Sequence, residues 1–330
     1  MIASEDSRLR QIRQIALLLT ALALLVVLLS ARLRLQGAGL GCADWPACYG
    51  RLLSGEPQAQ QFGVVRLLHR LFASLSLLLA CVLAWLSLRP PSLPSTAGPA
   101  SWLLALVLAL AALGFWSADP RLALVGFLNI LGGLGLVSFS WRVVLASSPP
   151  ARLARTSSAS APTLLLHLGT AALSLTVILG ALIGARYAAL ACTSLPDCAG
   201  SWWPTAAGWA AVQPFAVLAG QPSAGEPGGL TLHLLHRWSA LSTLLLLGAA
   251  ALQALAERAT RKVAMALLVL LIAQLTLGVL TVLSDFTLAL AIAHGVCAAA
   301  LLASLATLRR ASSRTGWPDE PGSYNGPRSG

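Results

Sequence analysis

Apolar residues run almost unbroken at 15–31, 65–87, 101–118, 122–146, 163–185, 230–253, 263–283 and 287–307. A helix rises about 1.5 Å per residue, so about 20 apolar residues cross roughly 30 Å of hydrocarbon. The pattern predicts an all-α integral membrane protein with eight transmembrane helices, of which 101–118 and 122–146 are the least cleanly separated. Arg8, Arg10 and Arg13 precede the first run, and no small-residue cleavage site follows a short apolar core. That run therefore reads as a retained helix rather than a removed signal segment. The stretch 88–100, with RPPSLPSTAGP, and the Ser, Ala and Pro-rich 147–162 read as loops. The tail 311–330 lacks periodicity and reads as disordered.

The charges between the runs set an orientation. Arg89, Arg152, Arg155, Arg258, Arg261, Lys262, Arg309, Arg310 and Arg314 join the basic amino terminus on one side, which the positive-inside rule makes cytoplasmic. Both termini are then cytoplasmic, and the long loops 32–64 and 186–229 face the opposite, oxidising side. Arg32, Arg34 and Arg51 in the first of these loops run against the rule but are outnumbered. Composition agrees with a membrane chain: 57% of residues are hydrophobic, 10% are charged and the net charge is +11, with a mean hydropathy of +0.78. The basic residues sit between apolar runs and form no patch, so the charge reports topology and nucleic acid is excluded as a partner.

The two long loops resemble each other. AGLGCADWPACYG at 38–50 and AALACTSLPDCAG at 188–200 both carry Cys-x5-Cys, and LLHRLFASLSLLL at 67–79 parallels LLHRWSALSTLLL at 234–246. The chain thus divides into two pseudo-repeated four-helix bundles: 1–150, a cytoplasmic linker at 151–162, and 163–310. Cys42 with Cys48 and Cys192 with Cys198 lie on the oxidising side, which favours disulfides. A metal is the alternative, but neither loop holds a His to complete a tetrahedral site. Cys81 and Cys297 stand alone in helices and read as small buried apolar residues.

All five histidines, His69, His167, His233, His236 and His294, fall in or at the ends of the runs. Coordinating groups in a bilayer are costly unless partnered, so they mark function, with interhelical hydrogen bonding as the alternative. His236 in HRW and His294 in AIAHGVCAAALL can supply both axial ligands of one heme iron from facing helices. Arg237 and Arg70, each beside a His, can meet heme propionates or reach the interface. His233 stands one turn before His236, where Arg66 stands before His69, and can orient or neighbour the same heme. The first half offers His69, but about the same interval further on lies Asn129, a poor iron ligand. For His167, interfacial hydrogen bonding is the expected role. Trp202, Trp203 and Trp209 suit an interfacial aromatic belt.

With GCADWPACYG followed by HR, ALACTSLPDC followed by HR, and His294, the chain resembles the heme A synthase family over residues 12–310. That resemblance implies an eight-helix bacterial inner-membrane enzyme that oxidises the C8 methyl of heme O to a formyl group for cytochrome oxidase biogenesis. It implies a prosthetic heme b between His236 and His294, a substrate heme at His69 as the catalytic residue, and disulfides at both Cys pairs in periplasmic loops. The implied partners are heme O, a heme O synthase, oxidase assembly factors and membrane lipid, with homo-oligomerisation open. The family's second first-half His and its Glu three residues before the first HR are replaced by Asn129 and Arg66, while Asp44 is retained. A synthase acting on another heme, or a non-catalytic heme-binding assembly protein, is therefore an alternative. A di-heme quinol-oxidising cytochrome lacks its second His pair, and a transporter lacks charged or broken midplane helices.

Overall fold

The computed structural model describes residues 2–37, 63–116, 122–148, 163–215 and 224–313. Its long helices are α1 (Ile2–Gly37), α2 (Gly63–Leu88), α3 (Pro94–Trp116), α4 (Ala123–Ser147), α5 (Thr163–Ala185), α6 (Pro227–Ala254), α7 (Arg261–Leu283) and α8 (Leu288–Ser313). Among the described residues, all eight contain a segment long and apolar enough to span a bilayer. Cys42, Cys48, Asp44 and the linker 151–162 lie outside the described residues. The chain is an all-α multi-pass membrane protein.

Several boundaries depart from the apolar runs; α8 continues to Ser313, three residues into the stretch 311–330 expected to be disordered. The helix α1 extends well beyond 15–31 at both ends, because Arg, Gln and Glu are good helix formers once the apolar core has nucleated the helix. The stretch 88–100 is only partly a loop, since α3 begins at Pro94. Proline suits a first helical turn, where its missing N–H has no intrahelical partner. The backbone N–H of Thr96 donates to the Leu93 carbonyl at 3.0 Å and that of Leu93 to Ser87 at 2.9 Å.

Helix neighbours are α1 with α2, α2 with α3, α3 with α4 and α4 with α1; α5 with α6, α6 with α7, α7 with α8 and α8 with α5. Each set of four closes into a ring, so α2 stands diagonally across from α4, and α6 from α8. The two rings meet along α4 with α5, α4 with α8 and α1 with α8. Ile12, Leu19, Leu83, Leu103, Val137 and Val143 are fully buried in the first ring, and Leu247, Leu267, Leu301 and Leu308 in the second. Leu18, Leu78, Leu245 and Ile272 are exposed, as expected where lipid is as apolar as the side chain. The same reasoning corrects the reading of Cys81. It is exposed on the outer surface of α2 rather than buried, while Cys297 is half-buried with its Sγ 3.8 Å from the Leu270 carbonyl.

Polar side chains join the rings at both ends. Arg34, which opposes the positive-inside count, donates from Nη1 to the Gly184 carbonyl at 3.3 Å. That carbonyl belongs to the last turn of α5, where it also accepts from the Tyr187 N–H at 3.4 Å, and the negative helix end favours a cation. At the other end, Trp141 Nε1 donates to Thr307 Oγ1 at 2.8 Å and Arg309 Nη1 to Thr170 Oγ1 at 3.0 Å.

Candidate functional site

The long loop before α6 is a built structure. Glu226 caps α6, accepting from the N–H groups of Gly228 at 3.0 Å and Gly229 at 2.6 Å, with Pro227 in the first turn. Such a cap supplies acceptors that the first helical N–H groups lack. Short 3-10 turns at Ala188–Ala191 and Ala206–Ala211 lie against α6. Gly208 admits no side chain, because a Cβ there would collide with Thr231 Oγ1 and the Pro227 carbonyl. Cys192 and Cys198 form a disulfide. Within its loop the Cys198 and Ser201 backbones exchange two hydrogen bonds of 2.9 Å, and Asp197 Oδ2 accepts from the Gly200 N–H at 2.6 Å.

That loop holds Arg237. Its Nη1 donates to the Asp197 carbonyl at 2.7 Å and to the Pro196 carbonyl at 3.3 Å, while its Nη2 is buried without a partner. His233, one turn earlier, is buried and contacts the Ala188 carbonyl through Nε2 at 3.0 Å. A carbonyl only accepts, so the His233 hydrogen sits on Nε2 and the ring ties the first 3-10 turn to α6. The ring of Phe286 meets it edge-on at 6.1 Å.

His236 and His294 meet across the second ring of helices, with ring centroids 6.4 Å apart and planes inclined by 64°. Nδ1 of His236 donates to the Thr176 carbonyl at 3.0 Å, which leaves Nε2 as the lone-pair nitrogen. This approach depends on Gly180, four residues on from Thr176, since a Cβ there would stand 3.1 Å from His236 Cε1. His294 contacts Gln274 Nε2 through its own Nε2 at 3.1 Å, and its Nδ1 is buried without a partner. Two imidazoles sharing one iron, each nitrogen about 2 Å from it, place their centroids roughly 6 Å apart. The observed separation and the open bonding capacity of His294 and Arg237 fit a bis-histidine heme.

The first half is plainer. His69 is half-buried on α2, Arg66 and Arg70 are exposed beside it, and Asn129 is half-buried on the diagonal helix α4. His167 is exposed near the start of α5. Trp203 stacks on Trp238 at 5.4 Å, and Trp202, Trp203 and Trp209 are exposed. Thr176, Gly180, Gln274 and Gly278, which line the two imidazole rings, are not among the residues the sequence singles out. Only Gln274 carried a signal, as the sole side-chain amide within 263–283.

Fold and site together define a multi-pass helical membrane protein with a facing histidine pair held between two diagonal helices. The sequence profile of the cytochrome oxidase assembly protein family matches residues 13–63 and 67–306, and the chain belongs to that family. Over 311 residues it is 33% identical to the heme A synthase of Shewanella oneidensis, covering 86% of this chain and 92% of that protein. The heme A synthase of Rhizorhabdus wittichii is 34% identical over 167 residues, 49% of this chain and 42% of that protein. That of Symbiobacterium thermophilum is 34% identical over 125 residues, 36% of this chain and 37% of that protein.

Proposed function

We propose that the chain is a bacterial heme A synthase that oxidises the C8 methyl of heme O to a formyl group for cytochrome oxidase biogenesis. The observation that carries this reading is the facing pair His236 and His294, in a chain similar over most of its length to a heme A synthase. In this reading residues 163–310 form the cofactor half and 1–150 the substrate half. The protein lies in the inner membrane with both termini cytoplasmic and both Cys-containing loops periplasmic.

A heme b bound between His236 and His294 supplies one-electron transfer. The chain's own residues do the rest. His236 presents Nε2 because Thr176 holds its Nδ1 hydrogen, and Arg237, fixed by the disulfide loop, offers its free Nη2 to a propionate. His233 keeps the 3-10 turn closed over the start of α6. In the other half His69 is the single strong ligand for the substrate heme, with Arg70 beside it for a propionate. Two successive hydroxylations of the substrate methyl would give a gem-diol that loses water to the aldehyde, a net four-electron oxidation (–CH3 + H2O → –CHO + 4 H+ + 4 e−) whose electrons go to an oxidant from outside this chain.

A second reading, a heme-binding oxidase assembly protein without catalysis, is favoured by Asn129 and Arg66, which place an amide and a cation where the family has an imidazole and a carboxylate. One experiment separates the two. Hemes are extracted from cells that make heme O and express this chain in place of their own synthase. Heme A appears in the first reading. Heme O accumulating beside a heme b-loaded chain belongs to the second.

A further inference from the structure

At the end of the first ring that carries the amino terminus, two arginines meet in one turn. Arg8 of α1 is only 8% exposed and reaches into the connection between α2 and α3. Its Nη1 donates to the Arg89 carbonyl at 3.4 Å and its Nη2 to the Pro91 carbonyl. Arg89, one residue past α2, folds back over Trp85, with its guanidinium carbon 4.8 Å from the ring centroid. Leu78, Trp85 and Leu88 are exposed along α2, on the surface that meets lipid.

Bracing the turn accounts for two nitrogens of Arg8 and no more. Nε of Arg8, Nε of Arg89 and Ser87 Oγ are buried with no partner, whereas buried polar atoms are normally satisfied. The buried Ser76 and Ser147 each donate to the carbonyl four residues back, at 2.7 and 2.8 Å. Among the described residues no carboxylate pairs with either guanidinium, and Glu5 and Asp6, a turn before Arg8, are exposed. A buried charge without a counter-ion is costly, and like charges this close repel. An arginine that only snorkels sends its head out to water, yet Arg89 lies over an exposed tryptophan.

We propose that Arg89, with the buried charge of Arg8 behind it, binds the phosphate of an anionic phospholipid. A guanidinium offers phosphate oxygens paired N–H donors, and Trp85 holds it at the lipid surface. The exposed apolar side chains of α2 lie where acyl chains run. Basic pockets at the ends of membrane helices take such headgroups. Two guanidiniums without a carboxylate favour a net negative headgroup over a zwitterionic one.

The test titrates dioleoyl phosphatidylglycerol, dioleoyl phosphatidylcholine or inorganic phosphate into the detergent-purified full chain. Native mass spectrometry reads bound lipid, and circular dichroism reads thermal unfolding. Phosphatidylglycerol is expected to bind at least about fivefold more tightly than phosphatidylcholine and to raise the unfolding temperature, while inorganic phosphate leaves that temperature unchanged. Arg89→Gln should weaken phosphatidylglycerol binding about fivefold, the weight of one arginine near a membrane surface. The control is Arg142→Gln, an exposed arginine whose guanidinium carbon lies 5.9 Å from the Phe139 centroid; it should bind as wild type does. Equal affinity for the two lipids, or an Arg89→Gln protein that loses no more than the control, overturns the proposal. Inorganic phosphate that stabilises the chain as well as phosphatidylglycerol does also overturns it, since the site would then take a free anion. Should Arg89→Gln not fold, Trp85→Leu decides. Freeing Arg89 from the ring should weaken phosphatidylglycerol binding about two- to fivefold, and wild-type affinity there overturns the proposal.

Discussion

Gly180 decides how closely His236 approaches α5. A methyl group there would sit 3.1 Å from Cε1, so the ring must shift by a few tenths of an ångström and loosen its bond to the Thr176 carbonyl. Gly180→Ala is expected to weaken heme retention by about tenfold, the lower range for loss of a group that orients a metal ligand, with helix content unchanged. Gly248→Ala, where a Cβ meets nothing within 4 Å, leaves retention as in wild type. Heme content after size-exclusion chromatography checks both. At this scale the sequence showed the histidines and not what holds them. His236 and His294 stand out because coordinating side chains are rare in apolar runs, whereas Thr176 acts through a backbone carbonyl and Gly180 through the absence of a side chain. Neither role leaves a mark in a single sequence.

At the scale of elements, the loop 186–215 and the start of α6 behave as one piece. The disulfide closes a short loop whose carbonyls fix Arg237. In the chain-entropy account, a loop of this length contributes about 2 kcal/mol. Cys192→Ser, Cys198→Ser and the double variant should therefore be destabilised equally, because each breaks the same bond. All three should lose heme more readily than wild type, as should Arg237→Ala. Thermal unfolding of the detergent-solubilised protein, followed by heme absorbance, reads both effects. Gly208→Ala should cost about 1–3 kcal/mol by overpacking against Thr231 and Pro227, seen as a lower unfolding temperature. The eight helices were legible because hydrocarbon thickness dictates a minimum apolar length. The start of α3 was not, since a Pro-rich stretch reads as a turn, although its third proline, Pro94, falls in a first helical turn.

For the whole molecule, two four-membered rings of helices meet along α1, α4, α5 and α8, and the facing histidines come from one diagonal of the second ring. The corresponding diagonal of the first ring carries His69 and Asn129, so under the proposed function the second half holds a resident heme and the first a transient one. If both termini are cytoplasmic, a reporter that works only in the cytoplasm should be active when fused after residue 313 and inactive when inserted in the loop at 205. Under the proposed function His236 and His294 together hold one heme. That claim is tested most directly by the absorption spectrum and heme content of the purified chain beside its His294→Ala variant. The expected result is one low-spin bis-imidazole heme b per chain in the wild type, lost or converted to a high-spin form in the variant. A variant with the wild-type low-spin spectrum and full heme content would contradict it.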